Sequence, residues 1–172
     1  AILYDLANGG DKGWGEQPPY RMLGEEAFEN RAKSFPLGNV GCGLGANAGA
    51  HAGGLGSASL RTADGITIGA VAGVNCFGSV FMPGTSCFWA WPYEQNGEFG
   101  NHRPGESYNA DPEEWGDAKM NPQPGQNTTI ACIATDAALT PAQAHRVAQM
   151  ALSGFSRAIR PVFAPFDGDA LF

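Results

Sequence analysis

The stretch Gly125-Gln126-Asn127-Thr128-Thr129-Ile130-Ala131-Cys132-Ile133-Ala134-Thr135 decides how this chain is read. Thr128–Thr135 is rich in β-branched residues and predicts a strand. The segment before it, Phe77 to Gly125, holds Pro83, Pro92, Pro104, Pro112, Pro122 and Pro124 together with Trp89, Trp91 and Trp115. A long irregular segment of this kind is a lid, an insertion or a linker, and its aromatic content argues against full disorder. An irregular approach therefore meets a fixed strand at Asn127–Thr128. If that bond were cut, Thr128 would carry both a hydroxyl and a free α-amine. Such an amine titrates at about pH 7.7–8.0 in water and can act as the base for its own hydroxyl. The same residues also fit a loop Asn before an ordinary strand Thr. Asn127-Thr128-Thr129 fits the glycosylation sequon as well, although nothing in the sequence points to secretion.

Downstream, Thr140-Pro141 is an N-cap followed by Pro at the first helical position. The spacing predicts a helix from Leu139 to about Ile159, with an apolar stripe of Val147, Met150, Ala151, Gly154, Phe155 and Ala158. Pro161 stops it. Asp167-Gly168-Asp169 then precedes a final strand. Two carboxylates at this spacing can orient an amine, bind a cation or simply form a polar turn.

Upstream, Ile66–Asn75 predicts a buried strand with Ile66, Ile68, Ala70, Ala72 and Val74 on one face. Asn75 at its end could donate to an oxyanion or cap the strand. Gly38–Gly56 is nearly all small residues and reads as a nest of N–H groups or a loop threaded between packed elements. Leu23–Lys33 predicts a short amphipathic helix, acidic early and basic late. Ala1–Leu6 reads as a core strand carrying Tyr4, and Asn8-Gly9-Gly10-Asp11 as a turn. His51, His102 and His145 are scattered, and His145 on the long helix reads as a surface or packing residue rather than a catalytic one. The Trp89/Trp91 pair fits a pocket lining or the packing of an insertion.

The chain has 172 residues, enough for one domain with a core. Lys plus Arg is 10 against Asp plus Glu 17, a net charge of −7, which speaks against a nucleic-acid groove or a polybasic membrane surface. Neither a nucleic-acid nor a membrane partner is expected. Cys42, Cys76, Cys87 and Cys132 form no Cys-x-x-Cys pair, and they read as reduced, mostly buried thiols of a cytoplasmic protein. Apolar residues at both ends, from Ala1-Ile2-Leu3 to Leu171-Phe172, suggest an internal piece of a longer protein. Strands alternating with helices suit a layered α/β or α+β domain.

Taken in order, six motifs resemble one family. They are Tyr4-Asp5-Leu6 with Asn8-Gly9-Gly10-Asp11, Gly38-Asn39-Val40-Gly41, Gly53-Gly54-Leu55-Gly56-Ser57-Ala58-Ser59, Val74-Asn75, Asn127-Thr128-Thr129-Ile130 with Ala134-Thr135-Asp136-Ala137, and Pro165-Phe166-Asp167-Gly168-Asp169. The family is that of L-aminopeptidase/D-amidase/D-esterase enzymes, which includes β-peptidyl aminopeptidases and endo-acting 6-aminohexanoate-oligomer (nylon oligomer) hydrolases. The likeness covers nearly the whole chain except about Ser79 to Gln123.

The resemblance implies a four-layer αββα sandwich of the self-processing N-terminal-nucleophile type. It implies cleavage between Asn127 and Thr128, with residues 1–127 ending the larger subunit, an insertion or linker at about 79–124, and residues 128–172 beginning the smaller subunit of one structural domain. Thr128 would be the nucleophile, Asn75 the amide near the oxyanion, Tyr4 a tyrosine of the site, and Asp167 and Asp169 the carboxylates beside the nucleophile's amine. The implied substrate is a small amide or peptide, the implied partners are the complementary subunit and further αβ units of a homo-oligomer, and no cofactor or metal is implied. Thr at 128 with Asp-Gly-Asp leans toward the nylon-oligomer branch or toward that branch's uncharacterised relatives. Where that branch carries a lysine after the Gly-rich run, this sequence has Ala50, followed by His51. An acyltransferase of the ornithine acetyltransferase type and an inert scaffold or binding protein are the rival readings.

Overall fold

The computed structural model describes Leu3, residues 13–120 and residues 125–172. The expected strand Ala1–Leu6, with Tyr4, and the turn Asn8–Asp11 lie outside the described residues, apart from Leu3. The element order is α1 (Tyr20–Glu29), β1 (Asn47–Ala48), β2 (His51–Ala52), β3 (Gly54–Arg61), β4 (Thr67–Asn75), β5 (Thr128–Thr135), α2 (Pro141–Ala151), α3 (Ser153–Ala158) and β6 (Ala170–Leu171). This is a mixed α/β arrangement, as the sequence predicts.

The framework is a four-stranded sheet in the order β3-β4-β5-β6. β3 pairs antiparallel with β4 over eight residues, from Gly54↔Val74 to Arg61↔Thr67. β3 has no sequence signature, because Gly, Ser and Ala are poor strand formers, and only pairing with β4 makes it a strand. β4 pairs antiparallel with β5 from Ile68↔Thr135 to Asn75↔Thr128. β5 pairs parallel with β6 through Ile130↔Ala170 and Ala131↔Leu171, and a further parallel bridge joins Asn127 to Asp167. The start of β5 is thus central, with β4 on one side and the Asp167–Asp169 segment on the other.

Burial in β4 differs from the expected alternation. It grows along the strand, from exposed Thr67 and Ile68 to buried Gly73 and Asn75, instead of dividing by face. The packed region lies at the Asn75 end, where Ala48, Cys76 and Ile159 form a buried cluster joined by Val74, Val80, Ala158 and Val162. The Gly-rich run threads against this end as β1 and β2. Gly53 is required there: a Cβ would stand 2.1 Å from Val74 O.

The expected single helix is two. Thr140 accepts from Gln143 N–H, and the Gln143 side chain reaches back to Thr140 N–H, a reciprocal capping box that starts α2. At Leu152 the ladder tightens, with Phe155 N–H donating to Leu152 O, and Ser153-Gly154 follows. Ser and Gly are weak helix formers, so the break falls there. Met150 of the expected stripe is 63% exposed, while Phe155 and Ile159 are buried. α1 begins three residues before the expected start and buries none of its residues. All four cysteines are free, but only Cys76 and Cys87 are buried, so the expectation of mostly buried thiols holds for half of them.

Candidate active site

The antiparallel register places Asn75 directly opposite Thr128. Residues opposite one another in such a pair project to the same face. Asn75 is fully buried, and Asn127, Thr128 and Thr129 are almost so. The Asn75 amide is held from three sides. Its Oδ1 accepts from Asn47 N–H at 2.9 Å and from Lys119 Nζ at 3.0 Å, and its Nδ2 donates to Gln126 O at 3.0 Å.

The Asn127 carbonyl, which ends the bond expected to break, has two donors on it. Gly168 N–H donates at 2.8 Å, and the Thr128 hydroxyl at 2.5 Å. The parallel bridge Asn127↔Asp167 explains the first, since it sets the extended Asp167-Gly168-Asp169 stretch, which follows a turn closed by Asp167 N–H on Ala164 O, alongside residues 127–129. Asp169 Oδ1 then accepts from Thr129 N–H at 2.6 Å and its Oδ2 from Phe163 N–H at 3.2 Å. Asp167 Oδ1 accepts from Phe77 N–H at 3.1 Å, just beyond Asn75.

Burial pushes the Asp167 carboxyl up to about 6, and the nearby Asp169 carboxylate adds to this, against the Phe77 hydrogen bond and the Lys119 charge. The Cys76 thiol beside it is pushed up to about 12, again mainly by burial, which disfavours the thiolate. Five buried side-chain polar atoms have no hydrogen-bond partner among the described residues. Four of them belong to Asn127 (both amide atoms), Thr129 Oγ and Asp167 Oδ2. Buried polar groups left unpaired each cost about 1–3 kcal/mol, and here they cluster around Asn127 and Asp167.

Of the residues singled out in the sequence, Asn75, Asn127, Thr128, Asp167 and Asp169 come together here, and Tyr4 lies outside the described residues. His51 instead pairs with Asp117 at 3.0 Å and packs edge-on to Phe81. Trp89 lines a cavity of about 430 Å³ with Trp115, Ile159 and Arg160, and Trp115 backs onto Phe77. Trp91 carries the Arg103 guanidinium on its ring instead. Lys119 escaped the sequence reading. It is one of only three lysines in the chain, and rarity was its one signal.

The fold has solved counterparts. A protein from Pyrococcus horikoshii matches with a TM-score of 0.54 and 29% identity over 84% of this chain and 34% of that one. The L-aminopeptidase D-Ala-esterase/amidase of Ochrobactrum anthropi, described as a prototype for the serine aminopeptidases and a variant of the Ntn hydrolase fold, matches with a TM-score of 0.55 and 24% identity over 86% of this chain and 34% of that one. The architecture is therefore that of the layered α/β Ntn-hydrolase class. The model of peptidase family S58 matches residues 1–172, and the chain belongs to that family. An uncharacterized aminopeptidase of Mycobacterium bovis is 37% identical over 177 residues, covering 100% of this chain and 48% of the relative. One of Mycobacterium leprae is 40% identical over 149 residues, covering 86% of this chain and 39% of the relative. The chain thus spans about half the length, or less, of the curated relatives it matches.

Proposed function

We propose that this chain carries the reaction centre of a self-processing N-terminal-threonine amidohydrolase or aminopeptidase. The supporting observation is the arrangement around one carbonyl: Asn127 O receives the Thr128 hydroxyl and Gly168 N–H, and Asn75 lies across the sheet from Thr128.

In the first reaction Thr128 Oγ attacks the Asn127 carbonyl carbon and gives up its proton. Negative charge gathers on Asn127 O, where Gly168 N–H holds it and the Asn75 amide, across the ladder from Thr128, assists. The C–N bond breaks, the amine of Thr128 takes a proton, and an ester joins Asn127 to Thr128 Oγ. Water hydrolyses that ester, leaving a carboxylate on Asn127 and a free hydroxyl and α-amine on Thr128.

The same parts then serve turnover. The neutral amine of Thr128 accepts the hydroxyl proton, Oγ attacks the substrate amide, and Asn75 Nδ2 with backbone N–H groups holds the oxyanion. Asp169, bonded to the N–H one residue along, and Asp167 flank the amine. The acyl group passes from Thr128 to water. Peptides or short amides with a free amino end are the substrates, linear 6-aminohexanoate oligomers among them. The two fragments stay associated, because β5 of the smaller one is paired over eight residues with β4 of the larger one, and αβ units assemble further.

Intact-mass analysis of the full-length protein tests this reading. Two fragments meeting at 127/128 are expected, the smaller beginning Thr-Thr-Ile-Ala. One uncut chain would overturn it in favour of an inert scaffold. Acyl transfer to an added amine in preference to water would move it to the acyltransferase class.

A further inference from the structure

Lys119 lies in the segment that separates β4 from β5, yet it returns to the end of β4. The segment is stitched down at several points. Ala50 N–H donates to Asp117 O at 2.7 Å, His51 Nε2 meets Asp117 Oδ2 at 3.0 Å, and Lys119 N–H donates to Phe77 O at 2.9 Å. Contact is so close that a Cβ on Gly49, which sits at φ +59°, would stand 2.2 Å from Asp117 O. Lys119 Nζ is thereby delivered to Asn75, 3.0 Å from Oδ1 and 3.4 Å from the backbone O.

This contact decides which way the Asn75 amide faces. An amide oxygen has two lone pairs, and here they meet Asn47 N–H and Lys119 Nζ. Turned over, the amide would set its NH2 against two donors. Oδ1 therefore stays on the Lys119 side, and Nδ2 stays on the Gln126–Thr128 side, where charge develops when Thr128 reacts. A cation on Oδ1 also polarises the amide and makes its N–H groups better donors to an oxyanion.

Building on the proposed function, we infer that Lys119 is the positioning residue of the site, acting through Asn75, and that the Asp117–Lys119 stretch is part of the reaction centre.

The test follows self-cleavage of the full-length protein made by cell-free synthesis, sampled over time and resolved by mass, so no substrate need be known. Lys119→Met keeps the length of the stem and removes the charge, and Lys119→Arg keeps the charge. Removing one oxyanion donor outright slows a reaction by about 10²–10³-fold. Losing its orientation is expected to slow cleavage in Lys119→Met about tenfold or more, with Lys119→Arg recovering most of the rate. Cleavage of Lys119→Met at the wild-type rate overturns the inference and leaves the self-processing reading intact. Equal slowing in Met and Arg variants, with an equal fall in melting temperature, also overturns it, because a packing role would then explain both. A wild-type chain that stays uncut overturns the underlying reading, and this inference with it.

Discussion

Asn75 and Thr128 face one another as the terminal pair of the β4–β5 ladder, and both are buried. No loop flexibility separates them. The hydroxyl and the amide are held at the end of one strand and the start of the next by the same backbone hydrogen bonds that hold the sheet, so the proposed reaction of the hydroxyl would need no reorganisation to align them.

Thr128→Ala removes the one hydroxyl on the Asn127 carbonyl. It is expected to leave the full-length chain uncut and inactive, while Thr128→Ser cleaves at the same bond. N-terminal sequencing of any fragment checks both. A fragment beginning at Thr129 or elsewhere in either variant would count against Thr128.

Asp167 makes stability depend on pH in a defined direction. Its carboxyl is raised from an ordinary value of 3.8 to about 6. Between those values the native chain holds more protons than the unfolded one, so stability falls as pH rises through the window. Asp167→Asn keeps an acceptor for Phe77 N–H and removes the charge. In the uncleaved Thr128→Ala background it is expected to melt higher than Asp167 at pH 7.5 and about equally at pH 3.5. A lower melting temperature at pH 7.5 would refute the burial argument.

Asp169→Asn is expected to behave oppositely. Both its oxygens accept backbone N–H groups, from Thr129 and Phe163. An Asn would have to present its NH2 to one of these donors. Hydrogen bonds to charged groups are worth about 1.5–3 kcal/mol, so urea unfolding should detect a loss of that order. If the carboxylate also senses the Thr128 amine, the alkaline-going midpoint of the rate profile moves down in this variant. An unmoved midpoint would remove that role from Asp169.

Gly53→Ala tests whether the Gly-rich run is steric in purpose. The new methyl would overlap Val74 O, next to Asn75. Overpacking of this kind costs about 1–3 kcal/mol, and it should also slow cleavage by displacing β1, whose Asn47 N–H holds the Asn75 amide. Wild-type stability together with wild-type cleavage would mean that the run gives way freely.

The turn expected at Asp167-Gly168-Asp169 lies just before that stretch, closed by Asp167 N–H on Ala164 O, but strand β5 and the N-cap at Thr140 were both legible in the sequence. Each rests on neighbours a few residues apart, whose propensities and side-chain hydrogen bonds act locally. The ordered motifs likewise pointed to Asn75, Thr128, Asp167 and Asp169. The break at Ser153-Gly154 was visible in composition but was outweighed by the apolar spacing around it. Strand β3 was not legible, because its Gly, Ser and Ala residues become a strand only through eight residues of pairing with β4.

By itself the sequence determined the types of residue available for chemistry and most of the local elements that carry them: a Thr at a strand start, an Asn at a strand end, two carboxylates two residues apart. The tertiary structure decided which of these meet. It set Asn75 opposite Thr128, put Gly168 N–H on the Asn127 carbonyl and brought Lys119 to Asn75. Those contacts span 40 residues or more of chain. They are set by strand register and by close backbone approach at glycine, and neither leaves a local mark on residue order.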